Sequence, residues 1–490
     1  MSQANRASAT ADFVILRYDL FIGGAWQPSA SGARIDVSDP STEDVISSVA
    51  DATVEDGIKA VDAAAVAAKT WSATSPRKRS DILMRAFQLM TEKAEWLAEL
   101  ISRENGKALP DARGEVAYAA EFFRWYAEEG VRLNGEISVS PSGNNRIIVQ
   151  YQPIGIAVLV TPWNFPAAMA TRKIGPALAA GCTCILKPAT ETPLTAYAIA
   201  EILTEAGVPA GVVNVVTTSK SGPVIAAMLH DPRVRKLSFT GSTEVGRILL
   251  RQAADQVISC SMELGGNAPF LVFDDADIDA AVDGAMIAKM RNGGEACTAA
   301  NRFYVQRGVL EAFTAKLAER MGAMKVGIGY DHSTQLGPLV NASSRDKVAS
   351  LVQDAIARGA KIMTGGKARE GKGFFYEATV LTDVSADAAI LNEEIFGPVA
   401  PVVAFETEEE GISLANQTEY GLVAYIYTKD LARGLRVSEQ IESGMIALNR
   451  GLVSDAAAPF GGVKQSGLGR EGSHHGLLEF TEAKYIATSW

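Results

Sequence analysis

Three side chains in this sequence have the chemistry of a covalent catalyst. Cys297 lies in Asn292-Gly-Gly-Glu-Ala-Cys297-Thr298, just after a helical stretch that ends near Asn292. Gly293 and Gly294 release the chain, so the thiol falls in an accessible turn rather than inside a periodic apolar pattern. A buried structural thiol is the usual alternative. Cys182, Cys184 and Cys260 fit that description and Cys297 does not, so it reads as a reactive thiolate. Glu263 ends a strand-like run and opens Glu263-Leu-Gly-Gly-Asn267. A carboxylate there is placed to act on a water or a proton; a solvated strand-end glutamate is the even alternative. Asn164, in Val160-Thr-Pro-Trp-Asn-Phe-Pro166, is placed to donate an amide N–H to a developing oxyanion. Otherwise it satisfies backbone groups in a loop shaped by Pro162 and Pro166.

Two segments have the form of an anion or ribose site. Phe239-Thr-Gly-Ser-Thr-Glu-Val-Gly246 follows a strand and opens a helix. A Gly241-Ser242 turn at a helix N-terminus offers amides and a positive dipole end to a pyrophosphate; a plain turn with Ser242 or Thr243 as N-cap is equally compatible. Lys187 ends another strand, where it reaches ribose hydroxyls or a 2′-phosphate, or else snorkels at the surface. A literal G-x-G-x-x-G occurs at Gly467-Leu-Gly469-Arg-Glu-Gly472. It lacks the βαβ unit and the acidic residue about 20 positions on that a dinucleotide fingerprint needs, so it reads as a glycine-rich loop.

The elements that must position these residues alternate along the chain. Residues 54–130 are helical in pattern, with Ala60–Trp71 and Arg77–Asn105 at helical spacing. Residues 133–152 carry β-formers around a Pro141–Asn145 turn, the pattern of a hairpin. From Ile156 short apolar strands alternate with helices: strands at 156–160, 182–186, 212–216, 236–239 and 257–262, helices at 166–180, 193–206, 224–229 and 243–254. That alternation predicts a parallel α/β sheet with helices on both faces and all strand C-termini on one ligand-binding edge. A second alternating region runs from about 268 to 465, and 484–488 forms a last strand.

Composition narrows the function classes. The 490 residues are 47% hydrophobic and 21% charged, the balance of a globular protein with a sizeable core. Only Met1–Asp12, polar and alanine-rich, suggests disorder. The net charge of −11 argues against nucleic acid as a partner. No apolar run reaches the roughly 18 residues that span a bilayer, and no basic-then-apolar secretory leader is evident. Four cysteines are too sparse for a disulfide scaffold, and the four histidines form no metal-ligand pattern. A reducing, cytoplasmic, metal-free protein is expected.

Taken together the chain resembles the aldehyde dehydrogenase superfamily from about residue 19 to its C-terminus. The segments that carry the resemblance are TPWNFP (161–166), KPA (187–189), FTGSTEVG (239–246), MELGGNAPF (262–270), RNGGEACTAANR (291–302), EEIFGPV (393–399) and PFGGVKQSGLGREG (459–472). Glu263 and Cys297 stand 34 residues apart. The resemblance implies that Cys297 attacks the aldehyde carbon, that Asn164 and the Cys297 amide hold the oxyanion, and that Glu263 activates the water that releases the acid. The implied cofactor is NAD or NADP. Thr161, Pro162, Trp163, Lys187, Thr190, Gly241, Ser242, Val245, Leu264, Glu394 and Phe396 would contact it. NAD-preferring relatives often carry a glutamate three positions after the lysine; here that position is Thr190, which implies tolerance of NADP. Within the superfamily the chain is most similar to succinate-semialdehyde dehydrogenases. That similarity implies an acid pocket of Arg172, Arg291 and Ser454. Ala299, two residues after the nucleophile, replaces a cysteine that many such relatives use for a disulfide. Arg450, in Asn449-Arg450-Gly451, is a further departure: beside Ser454 it would suit a sulfonate such as 3-sulfolactaldehyde, and otherwise it faces solvent or another subunit.

The expected fold is α/β, aldehyde dehydrogenase-like, with a Rossmann-type NAD(P)-binding domain (12–130 and 150–262), an α/β catalytic domain (263–463) and a β oligomerisation arm (131–149 and 471–490). An exposed hairpin edge invites pairing with another copy, and a homotetramer or dimer is expected. A thiol esterase and a non-catalytic structural protein are the readings of other classes.

Overall fold

The computed structural model describes residues 16–489. The Met1–Asp12 stretch, the first residues of the expected cofactor domain and Trp490 lie outside them. Two sheets dominate. The first has eight strands in the order Ala25–Gln27, Leu20–Ile22, Val213–Val215, Thr183–Lys187, Ile156–Val160, Val234–Thr240, Ser259–Glu263 and Gly467–Leu468. Its five central strands are parallel, and both flanks are antiparallel. The second has seven strands, Lys361–Thr364, Thr379–Thr382, Val399–Phe405, Ala300–Gln306, Ala268–Val272, Val423–Tyr427 and Met445–Leu448, parallel except at Lys361–Thr364.

Side-chain alternation explains why these strands are apolar throughout. In Ile156–Val160, Ala157 and Leu159 enter one core with the helices Pro76–Glu92, Leu109–Glu129 and Pro166–Ala180. Ile156, Val158 and Val160 enter the opposite core with Val54–Trp71, Ser221–Leu229 and Thr243–Ala254. A strand covered on both faces buries every residue, which removes the half-polar alternation of a surface strand. The second sheet repeats the pattern, with Phe270 and Val272 in one core and Leu271 and Phe273 in the other.

Helix Pro166–Ala180 starts with proline in its first turn, and its C-cap, Gly181, has φ 96°, the asymmetry that proline and glycine impose on helix ends. The long helical stretch read over 77–105 is two helices, Pro76–Glu92 and Ala94–Asn105, because Lys93 leaves helical geometry at φ −102°, ψ 14°. The strand read from 257 begins at Ser259; Val257 sits at φ 51° and is exposed. The short strands Leu20–Ile22, Arg34–Ser38 and Val45–Ala50, the strand Thr379–Thr382 and the helix Leu431–Gln440 add to the pattern read from the sequence.

The hairpin Glu136–Val139 and Arg146–Pro153 pairs with Thr481–Thr488 into a separate three-stranded sheet, with Arg146–Pro153 in the centre. Every residue of Glu136–Val139 is exposed, Ile137 and Val139 included.

Candidate active site

Right-handed βαβ crossovers bring the C-terminal ends of the parallel strands to one edge. Val160, Lys187, Thr240 and Glu263 therefore hand over to loops that lie side by side. Thr161 N donates to Lys187 O at 3.2 Å, and Gly241 N donates to Glu263 O at 3.0 Å. A cleft of about 290 Å³ opens at this edge, bounded across from it by residues 394–396 beside the second sheet. Of the residues singled out from the sequence, Pro162, Trp163, Asn164, Gly241, Ser242, Leu264, Cys297, Glu394 and Phe396 line it. Trp163 and Phe396 meet edge to face, with ring centroids 5.4 Å apart. Ser242 caps helix Thr243–Ala254, its Oγ accepting from Val245 N at 3.3 Å. Leu264 closes over Gly246, where a Cβ would stand 2.4 Å from Leu264 Cδ2. Lys187 is buried behind the edge, Thr190 is half-buried, and Val245 is exposed on the helix.

Cys297 follows three successive left-handed residues, Asn292 (φ 55°), Gly293 (φ 60°) and Gly294 (φ 81°). The glycines adopt that conformation without a Cβ penalty. Asn292 is held there by its side chain, whose Nδ2 donates to Asn164 O and to Glu295 O, both at 2.9 Å. Asn164 Nδ2 also donates to Glu295 O, at 3.1 Å, and keeps a second N–H. Lys107 Nζ donates to Asn164 O at 2.6 Å and pairs with Glu115 at 2.5 Å. Glu115 Oε1 in turn accepts from Ala167 N at 2.8 Å, which anchors the start of the helix after Asn164. Lys107, Glu115, Asn292 and Glu295 thus lock the backbone on both sides of Asn164 and Cys297.

Glu263 is fully buried, and its Oε2 has no hydrogen-bond partner among the described residues. Gly461 lies against it: a Cβ there would stand 2.8 Å from Glu263 Oε1. Burial pushes this carboxyl well above the usual range, Glu471 adds to the shift, and Arg172, Lys173 and Arg470 oppose it. The Glu263-Leu-Gly-Gly turn meets the nucleophile loop directly, since a Cβ on Gly266 would stand 2.6 Å from Cys297 O. Cys297 is half-buried, and its desolvated surroundings push the thiol up to about 12, with Arg172 and Arg291 opposing and Glu394 and Glu263 reinforcing. Desolvation thus opposes the thiolate expected from the sequence, and the two arginines favour it. Glu394 Oε1 accepts from Gly266 N at 3.3 Å, and burial raises that carboxyl to about 7.

The glycine-rich loop 467–472 explains itself in backbone terms. Gly467, at φ 147°, pairs with Glu263 across the sheet edge, and a Cβ there would stand 2.0 Å from Met262 O. The loop delivers Glu471, which the sequence reading did not single out. Glu471 pairs with Arg172 Nε at 2.5 Å and with Lys173. Burial alone would lower the Arg172 pKa; Glu471, with Tyr118, Glu263 and Cys297 acting in the same direction as it, more than offsets burial and raises the pKa. Arg172 is thus a counter-ion held inside the protein rather than a free cation; its Nη2 lies 3.2 Å from Sδ of Met169, which lines the cleft.

Arg291 Nη1 donates to Ser454 Oγ at 3.3 Å, and the guanidinium stacks 4.8 Å from the Phe165 ring centroid. Arg172, Arg291 and Ser454 are brought to the same neighbourhood, where both arginines act on Tyr118 and Cys297. Asn449, at φ 52°, turns the chain and is pinned to Thr428 by Oδ1 and Nδ2, which leaves Arg450 exposed. Among the described residues no hydrogen bond or ion pair links it to Ser454 or Arg291. No group of three or more His, Cys, Asp or Glu among the described residues could hold a metal ion, and no described helix is long and apolar enough to cross a membrane.

The cleft suits an extended nucleotide. It is lined by Trp163 and Phe396, ends on a helix N-terminus at Ser242, and has a buried lysine at the adjoining strand end.

Comparison with known proteins gives the same picture. The model of the aldehyde dehydrogenase family matches residues 26–486. The succinate-semialdehyde dehydrogenase of Paenarthrobacter nicotinovorans is 55% identical over 90% of this chain and 98% of its own. The glutarate-semialdehyde dehydrogenase of Pseudomonas putida is 48% identical over 98% of this chain and 99% of its own. The crystal structure of an NADP-dependent enzyme from E. coli superposes with a TM-score of 0.96 at 47% identity, covering 98% of this chain and 100% of that one.

Proposed function

The chain belongs to the aldehyde dehydrogenase family, and from that premise we propose that it oxidises succinate semialdehyde to succinate with NAD or NADP. The observation that carries the acidic substrate is the Arg291–Ser454 hydrogen bond beside the nucleophile loop, with the Arg172 cation in the same neighbourhood. A carboxylate accepts charge-assisted hydrogen bonds from such a pair, each contributing about 1.5–3 kcal/mol. The relative from Paenarthrobacter acts on the same semialdehyde and the one from Pseudomonas on a homologue one carbon longer.

In this reading the distal carboxylate binds Arg291 and Ser454, which points the aldehyde at Cys297. Cys297 Sγ adds to the carbonyl carbon, and the thiol proton leaves to base. The second N–H of Asn164 and the Cys297 amide stabilise the oxyanion. Glu394 and Phe396 would hold the nicotinamide ribose, and the bound cofactor would supply the acceptor for the hydride lost from that carbon. The thioester left on Cys297 is cleaved by a water from which Glu263 removes a proton, and the acid departs with the thiol restored. Thr161, Pro162, Trp163, Lys187, Thr190, Val245 and Leu264 would frame the rest of the dinucleotide, and Gly241 and Ser242 its pyrophosphate. In this assignment residues 12–130 and 150–262 are the cofactor unit and 263–463 the catalytic one. We take the sheet built from 136–153 and 481–488 as the contact between copies of a cytoplasmic homo-oligomer.

A sulfonate substrate would draw on Arg450, which is exposed and makes no contact with Ser454 among the described residues. Esterase activity of Cys297 would need no cofactor. The test is NAD(P)H formation from succinate semialdehyde, 3-sulfolactaldehyde and butanal, with Cys297→Ala as control. Preference for succinate semialdehyde, lost in Cys297→Ala, is the expected result. Equal turnover of butanal overturns the acid pocket, and aldehyde consumption without NAD(P) overturns the dehydrogenase mechanism.

A further inference from the structure

The far wall of the cleft is irregular backbone. Residues 393–396 lie between helix Ala389–Asn392 and strand Val399–Phe405, and Phe396 sits in the left-handed region at φ 53°. Such a segment has no ladder or helical turn to hold it, so its peptide groups need partners from elsewhere. Asn301 supplies them. It is the second residue of strand Ala300–Gln306 and is buried. Its Oδ1 accepts from Ile395 N at 3.0 Å, and its Nδ2 donates to Glu393 O at 3.0 Å. These are the peptide groups on either side of Glu394. The peptide before a residue sets its φ and the one after sets its ψ. One carboxamide therefore fixes both dihedrals at Glu394, and with them the direction of its side chain.

A second carboxamide keeps the first the right way round. Asn301 Nδ2 also donates to Asn267 Oδ1 at 2.6 Å, and Asn267 Nδ2 donates to Leu391 O at 3.0 Å. Reversing Asn301 would set its oxygen against the oxygens of Glu393 and Asn267, and its amino group against the Ile395 N–H. Asn267 is itself held by Arg302, whose Nε and Nη2 donate to Asn267 O at 3.0 and 2.8 Å. Both N–H groups of Asn301 are thus taken inside the protein, which leaves it no donor for a ligand.

Resting on the reading of Glu394 as a ligand of the nicotinamide ribose, we propose that Asn301, oriented by Asn267, is a positioning residue that sets the aim of Glu394 relative to Cys297. The clamp and the nucleophile share one short segment, 297–301, so the wall is registered to the sulfur rather than to the more distant cofactor sheet.

The test is Asn301→Ser, which removes both bonds to the wall, beside Glu394→Gln and the two changes together. In the protein without cofactor, hydrogen–deuterium exchange of a peptide covering 391–399 should quicken in Asn301→Ser by about tenfold, the size of one lost hydrogen bond. NADH binding, read from protein fluorescence, should weaken by about tenfold in both single variants. With succinate semialdehyde deuterated at the aldehyde carbon, kcat should fall by about 10–10²-fold and the isotope effect should rise, with KM for the aldehyde changed by no more than about threefold. Because Asn301 acts through Glu394, the double variant should be no slower than Glu394→Gln. Asn267→Ala, which frees Asn301 to reverse, should move each readout the same way by less, and it carries the test if Asn301→Ser does not fold. A lower kcat with an unaltered isotope effect reports a smaller folded fraction and overturns the positioning role, as do losses that multiply in the double variant. Native exchange and kinetics in Asn301→Ser beside a slow Glu394→Gln overturn this proposal alone. Native NADH binding and kinetics in Glu394→Gln overturn the ribose reading of Glu394 and this proposal with it.

Discussion

Gly266 faces the carbonyl oxygen of Cys297 so closely that a Cβ would stand 2.6 Å from it. The same residue donates its N–H to Glu394 at 3.3 Å. One glycine therefore fixes the nucleophile loop against the far wall of the cleft. The clash in Gly266→Ala would be with backbone, which cannot rotate away, so the Cys297 loop must shift. A displacement near 1 Å at a reacting centre costs about 10²-fold in rate. Gly266→Ala should lose about that factor in kcat while circular dichroism stays native; a variant with full activity would show that the loop tolerates the shift.

Glu263 should matter more for releasing product than for forming NAD(P)H. Replacing a positioned general base costs about 10²–10⁴-fold. In Glu263→Gln the first turnover should still yield NAD(P)H, followed by a slow phase as the thioester persists. Stopped-flow absorbance and intact-protein mass spectrometry would see the burst and the acyl adduct. Loss of the burst together with the steady state would move Glu263 to an earlier step.

Arg291 and Ser454 should control which aldehyde is used, without controlling the chemistry. Removing one charge-assisted donor corresponds to about 10–100-fold in KM for succinate semialdehyde. Arg291→Met should show that loss with butanal kinetics nearly unchanged, and Ser454→Ala a smaller loss in the same direction. If both aldehydes suffer equally, Arg291 supports the loop rather than the substrate.

What the sequence revealed and what it hid divide along local and non-local information. Helix Pro166–Ala180 was legible because Pro166 and Gly181 punctuate it, and strand Ile156–Val160 because both of its faces are apolar. Pro162, Trp163, Asn164, Gly241 and Leu264 were legible because they follow strand ends, and Cys297 because two glycines release the chain before it. Glu115 was not, because a glutamate in the helical stretch 109–129 has the pattern of a solvated face; only its partners Lys107 and Ala167 show it to be buried. Arg172 was recognised as a cation of interest, yet its counter-ion Glu471 lies in the glycine-rich loop near the other end of the chain, and no local pattern joins the two. Arg450 looked adjacent to Ser454 by sequence, and here it is exposed while Arg291 takes the Ser454 hydroxyl.

Thiol reactivity should rise with pH well past neutrality. Burial raises the Cys297 thiol to about 12, so the thiolate is a minor species throughout the neutral range. A group titrating that high gains thiolate about tenfold per pH unit below its pKa. Iodoacetamide labelling of Cys297 in the protein without cofactor, followed by peptide mass spectrometry, should climb at that slope between about pH 7 and 10. Cys182 and Cys184 are fully buried, with their thiols raised as well, and should remain unlabelled in the folded protein. A plateau in Cys297 labelling near pH 8 would mean that Arg172 and Arg291 outweigh desolvation at the sulfur.

The arm should govern assembly independently of catalysis. Glu136–Val139 is one edge strand of its three-stranded sheet, and Ile137 is 72% exposed with Val139 at 54% two residues on, on the same face. An apolar edge strand of this kind is a template for pairing with another chain. Lysines at both positions keep the strand's backbone bonds to Arg146–Pro153 while making the edge repel its copy. Sedimentation velocity should show the wild type as a dimer or tetramer and Ile137→Lys/Val139→Lys as a smaller species. The cleft is built from other elements, so NADH binding per subunit should be retained. A monomeric wild type would remove the arm's proposed role.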